Sequence, residues 1–456
     1  MSKIENNLTQ GSVFKKLWAF TLPLIGANLL QILYGMVDLY IVGRFAETSD
    51  VSAVSVSTTV LSAFLMFLIG LSVGATVVVG QKYGAGEKSA LSSVAATGFS
   101  LAWIVGAALM VIAAAMTRPI LGWIHTPAEA MRGATQYMLI CSVGYLFQSV
   151  YNMLAGILRG MGESKSPLLY VAVATVVNIV SDTVLVAGFG LGAAGTAIAT
   201  VFAQFLCMLF AILHVKKRGF PFDFRLKSYR LVKKDAAALI RTGLPIALQQ
   251  ALVLFSFVIV AGIINRHGLF ASAAAGILDK VFMFATIPTN AFHSSISAMV
   301  AQNIGAGAEQ RAVQCLRYGS LFSFLFALAF FITGLFFPAQ TIRIFTSDAG
   351  VVAAGVEYYA GYKYDYLICS LAFCINGFIN GTGRTRLTLI ANLISTYAVR
   401  IPACILVANV WKLGMRGLGF ALPVATAVQV IIGFAFYISG RWKKSLGAPA
   451  PEAAER

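Results

Sequence analysis

Two aspartates lie inside long apolar stretches of this 456-residue chain. A charge in such a stretch is costly unless it meets a partner or a wet cavity. Asp38 ends a run that begins at Gln31, and Asp182 follows Asn178 by four residues, a spacing that puts amide and carboxylate on one helical face. Their oxygens suit a proton or a small hard cation such as Na⁺. The pattern predicts a cation site, the alternative being an interfacial or capping role near helix ends.

The second half of the chain carries a different set of charges within its apolar stretches: Asp279, Lys280, Lys363, Asp365 and Arg400. They could face a substrate or form internal ion pairs. We expect Lys280 and Lys363 to pair with Asp279 and Asp365, whereas Arg400 has no partner evident in the sequence.

The elements that must position these groups are membrane-spanning helices. The chain is 59% hydrophobic and 11% charged, against about 25% charged residues in soluble domains. Apolar runs of about 20 residues cross a bilayer as helices, and the first run is too long for a cleaved signal. We predict an all-α membrane protein with twelve transmembrane helices, at residues 17–42, 52–80, 91–116, 135–159, 167–188, 193–214, 241–264, 272–303, 313–337, 356–380, 388–410 and 417–439.

The chain repeats itself. The Gln-x-x-Gly-x-Gly segment at 81–86 and the Gly-x-Gly segment at 160–162 return 221 residues later, and Leu22-Pro23 returns 222 residues later. Two like halves are typical of a transporter. The repeated segments are interpreted as turns, with gate hinges as the alternative. We predict an N-lobe at 12–214, a basic linker at 215–240, a C-lobe at 241–440 and a tail at 441–456. At an offset of 221, the counterparts of Asp38 and Asp182 are Ile259 and Ala403, so the lobes differ chemically.

The net charge of +17 has a topological explanation. Lys and Arg concentrate near the N-terminus, in alternate loops, in the linker and in the tail, which predicts a cell (cytoplasmic) membrane protein with both termini cytoplasmic. Nucleic-acid binding is therefore not expected. The linker is interpreted as a tether, with attraction to anionic lipids as the weaker alternative.

Enzymatic motifs are absent from the sequence. Six cysteines form no CxxC, four histidines form no HExxH, and there is no Walker A motif. The GxGxxG match at 190–195 lies between two apolar runs, which indicates a tight turn. We expect no enzyme and no cofactor apart from H⁺ or Na⁺ as coupling ion, with no metal beyond a Na⁺ at the coupling site.

The repeat, the Leu-Pro pairs, the Val37-Asp38 to Val42-Gly43 segment, the paired Gly turns and Leu158-Arg159-Gly160-x-Gly162 together resemble the MATE (multidrug and toxic compound extrusion) transporters over about residues 12–440. The resemblance implies two pseudo-symmetric six-helix lobes that expel cationic or amphipathic drugs against an H⁺ or Na⁺ gradient. It also extends the cation site, because Asp38, Asn178, Asp182 and Thr200 match the N-lobe pattern of the bacterial DinF-like branch.

Two departures from the family patterns matter. The DinF-like pattern has an Asn where this chain has Ala155, with Asn152 the nearest amide. The NorM-like branch has a Glu in its seventh helix, but residues 249–264 contain no acid. A C-lobe carboxylate site on that helix is therefore disfavoured.

A substrate cleft between the lobes is the further expectation. Its candidate lining is Tyr34, Met66, Phe147, Tyr151, Asn152, Phe255, Lys280, Phe282, Met283, Phe292, Lys363, Asp365 and Arg400. The expected partners are a small-molecule substrate and the lipid bilayer, with the chain acting as a monomer. A flippase for a lipid or lipid-linked precursor is the alternative, which an unpaired cationic cavity would favour. A non-transporting membrane enzyme or receptor would need a clustered nucleophile and base.

Overall fold

The computed structural model describes residues 6–445, apart from the side chains of Lys88, Leu226, Lys444 and Ser445. The structure is built from helices. Their bounds are α1 Val13–Phe45, α2 Thr48–Gly84, α3 Lys88–Trp123, α4 Ala128–Gly160, α5 Lys165–Asp182, α6 Gly192–Lys217, α7 Lys233–Asn265, α8 Leu269–Gly305, α9 Glu309–Phe336, α10 Pro338–Arg343, α11 Ala349–Gly381, α12 Thr385–Leu393, α13 Ile401–Ile405 and α14 Gly414–Ile438.

Three π-helical segments extend these helices, at Thr183–Gly188, Ile394–Arg400 and Leu406–Val410. The first extends α5 to residue 188, and the other two join α12 and α13 into one continuous helix. We call these two long helices the 165–188 rod and the 385–410 rod. Short 3₁₀ turns lie at Leu226–Ser228 and Arg441–Ser445.

The membrane-spanning class predicted from composition is confirmed. Within residues 6–445, eleven helices are long and apolar enough to cross a membrane. The remaining long helix is α11, with 33 residues, and it matches the tenth predicted segment. It carries Glu357, Lys363 and Asp365 among its tyrosines, which lower its hydropathy. All twelve predicted segments are therefore helical.

The internal repeat is visible in the element lengths. Helices α2 and α8 both have 37 residues, and α4 and α11 both have 33. The repeated Gly segments follow these helices as turns, with positive φ at Gly86 and Gly307, and at Gly162 and Gly383. Glycine reaches this conformation without a Cβ penalty, which explains why the same residue type stands at all four places.

The register of the repeat changes within the 385–410 rod. A π-helical turn, with its wider i→i+5 bonding, accommodates one extra residue, and the segment Ile394–Arg400 has no equivalent in the 165–188 rod. Beyond it the offset is 222, so the counterpart of Asp182 is the fully buried Cys404. The Leu-Pro offset likewise aligns Asp38 with the buried Val260. The predicted counterparts Ala403 and Ile259 are therefore wrong by one residue.

The chain divides into two compact units. One contains Leu22–Ala247, and the other contains Leu8–Thr21 together with the residues from Leu248 onward. The division thus cuts α1 and α7 rather than falling in the linker, where the lobe boundaries are predicted. We use N-lobe and C-lobe for these two units below.

The linker is shorter than predicted because α6 continues to Lys217 and α7 begins at Lys233. Phe222 is buried in it and stacks on Phe99 of α3 at a centroid distance of 5.2 Å. The linker is therefore packed onto α3 through aromatic side chains.

Candidate cation site and adjoining cavities

Three helices of the N-lobe bring the predicted cation ligands together. Asp38 lies seven residues before the end of α1, Asp182 is the last residue of α5, and Thr200 lies in α6. The carboxyl groups of Asp38 and Asp182 adjoin each other, with the Asn178 amide beside both. Thr196 lies beside Asp182. All five side chains are at most 7% exposed, so the cluster is shielded from solvent.

Many polar atoms of this cluster lack a hydrogen-bond partner among the described residues. They are Asp38 Oδ1, both carboxylate oxygens of Asp182, both amide atoms of Asn178 and the hydroxyls of Thr196 and Thr200. Buried polar groups are normally paired. Carboxylate, amide and hydroxyl oxygens are the ligands that a small hard cation such as Na⁺ takes. No group of three or more His, Cys, Asp or Glu side chains is placed to hold a metal within residues 6–445.

A cavity of about 270 Å³ leads to the cluster. Asp38, Tyr34, Tyr137 and Thr200 line it, and the Tyr34 hydroxyl lies next to Thr200. A second cavity of about 110 Å³ shares Tyr34 with the first. An ion at Asp38 is therefore adjacent to space that accepts a larger molecule.

The predicted substrate residues of the N-lobe fall into two groups. Tyr34, Tyr151 and Asn152 line the smaller cavity. Phe147 packs against Phe205 at 5.2 Å, and neither it nor the half-buried Met66 lines the cavities described here. For Tyr34, Tyr151 and Asn152, contact with a substrate stays a prediction.

The aromatic and Met residues of the C-lobe that were predicted to line a substrate cavity lie in different surroundings. Phe292 is fully buried and its ring contacts Trp18, so its assignment to a substrate cavity is corrected to core packing. Phe282 stacks on Tyr366. Phe255 and Met283 are 68% and 46% exposed, and the cavities described here do not include them.

The expected ion pairs of the two lysines are wrong. Within the described part of the chain neither Lys280 nor Lys363 forms an ion pair, although Lys280 is close enough to Asp279 to interact electrostatically. Lys363 lies over the ring of Tyr364, at 5.7 Å. A lysine next to an aspartate in sequence points elsewhere around the helix, because successive residues do not face each other.

Arg400 has partners that the sequence did not reveal. It is 8% exposed, donates to Ser256 Oγ at 3.4 Å and lies over the ring of Phe257 at 5.1 Å. It also interacts electrostatically with Asp365, a buried carboxylate beside Thr426. Its charge is thus held inside the C-lobe.

Sequence reasoning missed several residues of the N-lobe site. Tyr137, Gln148 and Gln204 line the larger cavity. One signal was available, because Thr196, Thr200 and Gln204 are four residues apart and share a face of α6. Tyr137 and Gln148 come from α4, and no sequence spacing relates them to Asp38.

Proteins similar to this chain are named as probable multidrug resistance proteins. The probable multidrug resistance protein YpnP of Bacillus subtilis is 28% identical over 445 residues, covering 96% of this chain and 97% of that protein. The probable multidrug resistance protein NorM of Thermotoga maritima is 26% identical, covering 94% and 93%.

Solved structures share the fold. A MOP superfamily transporter from Pyrococcus furiosus superposes with a TM-score of 0.90 at 19% identity, covering 98% of this chain and 99% of that one. An outward-facing multidrug resistance MATE family transporter gives a TM-score of 0.89 at 19% identity, with the same coverage.

The family model MatE matches the chain twice, over residues 23–184 and 245–406. The two matches are displaced by 222 residues, the offset that aligns Asp182 with Cys404. Since they cover more than half of the sequence, the chain belongs to the MATE family of multidrug efflux transporters.

Proposed function

We propose that this chain is a secondary antiporter that exports cationic or amphipathic organic compounds in exchange for H⁺ or Na⁺. It would act as a monomer in the cytoplasmic membrane, with both termini in the cytoplasm. The observation that carries the proposal is the buried cluster of Asp38, Asn178, Asp182 and Thr200 at the cavity of the N-lobe. This donor set is also that of the DinF-like branch.

The chemistry of the cluster accounts for the exchange of a small cation for an organic compound. Two adjoining buried carboxylates repel each other when both are ionised, and more strongly than they would in water. A proton on one of them, or Na⁺ between them, removes that repulsion. Because Asp38 also lines the cavity, a cationic compound there would be attracted to the same carboxylate. Cation entry would therefore release the compound, and loss of the cation would restore the site.

The flippase alternative is not favoured. It requires unpaired cations around an anionic headgroup. Lys280 and Lys363 form no ion pair among the described residues, but neither lines the larger N-lobe cavity or the C-lobe cavity, and each of these two cavities is lined by a carboxylate, Asp38 in one and Asp279 in the other. Arg400, the buried cation of the C-lobe, faces Asp365.

Ethidium efflux from proteoliposomes tests the proposal, with H⁺ and Na⁺ gradients imposed separately. Asp38→Asn keeps the side-chain size and removes the charge. We expect it to lose gradient-driven efflux while it still binds ethidium, measured by fluorescence polarisation. Asp223→Asn, in the exposed part of the linker, is the matched control and should transport normally. Full transport by Asp38→Asn would remove this residue from the mechanism. The gradient that drives the wild type identifies the ion.

A further inference from the structure

The C-lobe contains a cavity of about 270 Å³ for which the proposed antiport has no use. It lies among α7, α8, α11 and α14. Asp279 is the ionisable carboxylate in its lining, and Phe257, Tyr358, Asn265 and Ser272 line it as well.

This cavity is the repeat counterpart of the larger N-lobe cavity. At the offset of 221 for α2 and α4, Thr58 aligns with Asp279 and Tyr137 with Tyr358, and all four residues line a cavity. At the offset of 222 for α1, Asp38 aligns with Val260, which also lines its cavity. The carboxylate has thus moved from the first helix of the repeat to the second.

The small-ion cluster has not been kept in the C-lobe. At the offset of 222 its four residues become Val260, Arg400, Cys404 and Leu422. None of these is an acid, and the Arg400 guanidinium is already held by Ser256 and Phe257. The cavity therefore keeps a carboxylate but loses the oxygen cage that selects a proton or Na⁺.

The surroundings of Asp279 fit a larger cation. The Tyr362 hydroxyl donates to Asp279 Oδ1 at 3.2 Å and orients the carboxyl group. Tyr358 supplies an aromatic ring beside this carboxylate, and organic cations bind to ring faces; the ring of Phe257 is already next to the Arg400 guanidinium. Drug-sized ligands occupy pockets of about 300–1,000 Å³, so this cavity suits a ligand at the small end.

We propose that it binds a small organic cation, with Asp279 as counter-ion. The inference deepens the proposed function by adding a subsite, and it rests on that function for its ligand class.

A cysteine reporter in the cavity tests this site in the purified full-length chain. Ser272→Cys places a thiol in the lining, and the six native cysteines are all buried, so the unmodified chain gives the labelling blank. Tetraethylammonium should slow maleimide labelling of the thiol at position 272. Adding Asp279→Asn should raise the half-protective concentration by about tenfold or more, which is about 1.4 kcal/mol. Asp279→Glu should restore most of the protection.

Two further variants separate the site from folding and from general charge effects. Glu357→Gln removes a carboxylate of α11 that lies outside the cavity lining, and it should leave protection unchanged. Gly276→Leu fills the cavity, since no atom lies within 4 Å of an added Cβ there. If Asp279→Asn elutes as an aggregate, Gly276→Leu takes its place and should weaken protection as strongly.

The outcomes distinguish this inference from the proposed function. Equal protection of the thiol at position 272 with and without the Asp279→Asn change overturns the subsite. The subsite is also overturned if tetraethylammonium does not slow labelling of Ser272→Cys in an otherwise unchanged cavity, although calorimetry detects its binding to the chain. In both cases antiport at the N-lobe stands. If neither tetraethylammonium nor ethidium binds by calorimetry, the subsite and the proposed substrate class fail together.

Discussion

Gly160→Ala should destabilise the protein, because Gly160 lies where α4 meets α2. A Cβ at this position would be 2.8 Å from Thr76 O and 2.8 Å from Val79 Cβ. The repeat shows the same approach, since a Cβ on Gly381 would be 2.8 Å from Ser297 O. An ordinary contact starts at 3.4 Å, so the two helices would have to separate by roughly 0.6 Å. Close packing through small residues is how membrane helices associate.

The magnitude follows from two opposing effects. Overpacking a well-packed site costs about 1–3 kcal/mol, whereas Ala is better than Gly in a helix by about 1 kcal/mol. Gly160→Ala should therefore lower the free energy of unfolding by about 1 kcal/mol. For a unit of about 200 residues this lowers the unfolding midpoint by about 2–4 °C. Gly262→Ala in α7 is the matched control, because no atom lies within 4 Å of its added Cβ. The control should raise the midpoint.

Thermal unfolding followed by size-exclusion chromatography in detergent measures both midpoints. Equal or higher stability of Gly160→Ala than of Gly262→Ala would refute the packing argument. If that stable variant also failed to transport, the paired glycines would be hinges of a gate rather than packing sites.

Two other outcomes are expected. Externally added maleimide should label Glu129→Cys and not Lys227→Cys if the Lys and Arg distribution sets the orientation; the reverse pattern would invert the topology. Arg400→Gln should lower the unfolding midpoint, at a cost of about 1–3 kcal/mol, because it leaves Asp365 buried without its positive neighbour. Adding Asp365→Asn should recover part of that loss, and no recovery would show that the two charges act independently.

The helices were predictable from sequence because each one buries its apolar surface in lipid or in the protein, and that requirement leaves a run of apolar residues. The register of the repeat is only partly visible in the sequence, because the two offsets of 221 and 222 show that a residue is gained or lost but not where. One extra residue inside the Ile394–Arg400 π-helical segment leaves no trace in hydrophobicity, so Asp182 was aligned with Ala403 instead of Cys404.

The residues of the candidate site were also predictable only in part. Asp38 and Asp182 were recognisable because a buried acid is costly and therefore rare in an apolar run. An aromatic residue such as Phe292 carries no comparable signal, since core packing and substrate contact require the same side chain. Its full burial beside Trp18 is a property of the tertiary structure.

The corrected register changes how the two halves compare. In the alignment at 222, the amide of Asn178 corresponds to the guanidinium of Arg400, and both are buried. A guanidinium stays protonated in proteins, so the C-lobe holds a permanent positive charge at the place where the N-lobe has a neutral amide. The acids at the other two positions are absent as well, since Val260 and Cys404 stand there. The cation site proposed for the N-lobe therefore has no counterpart in the C-lobe, where the carboxylate of Asp279 lies in the cavity lining instead.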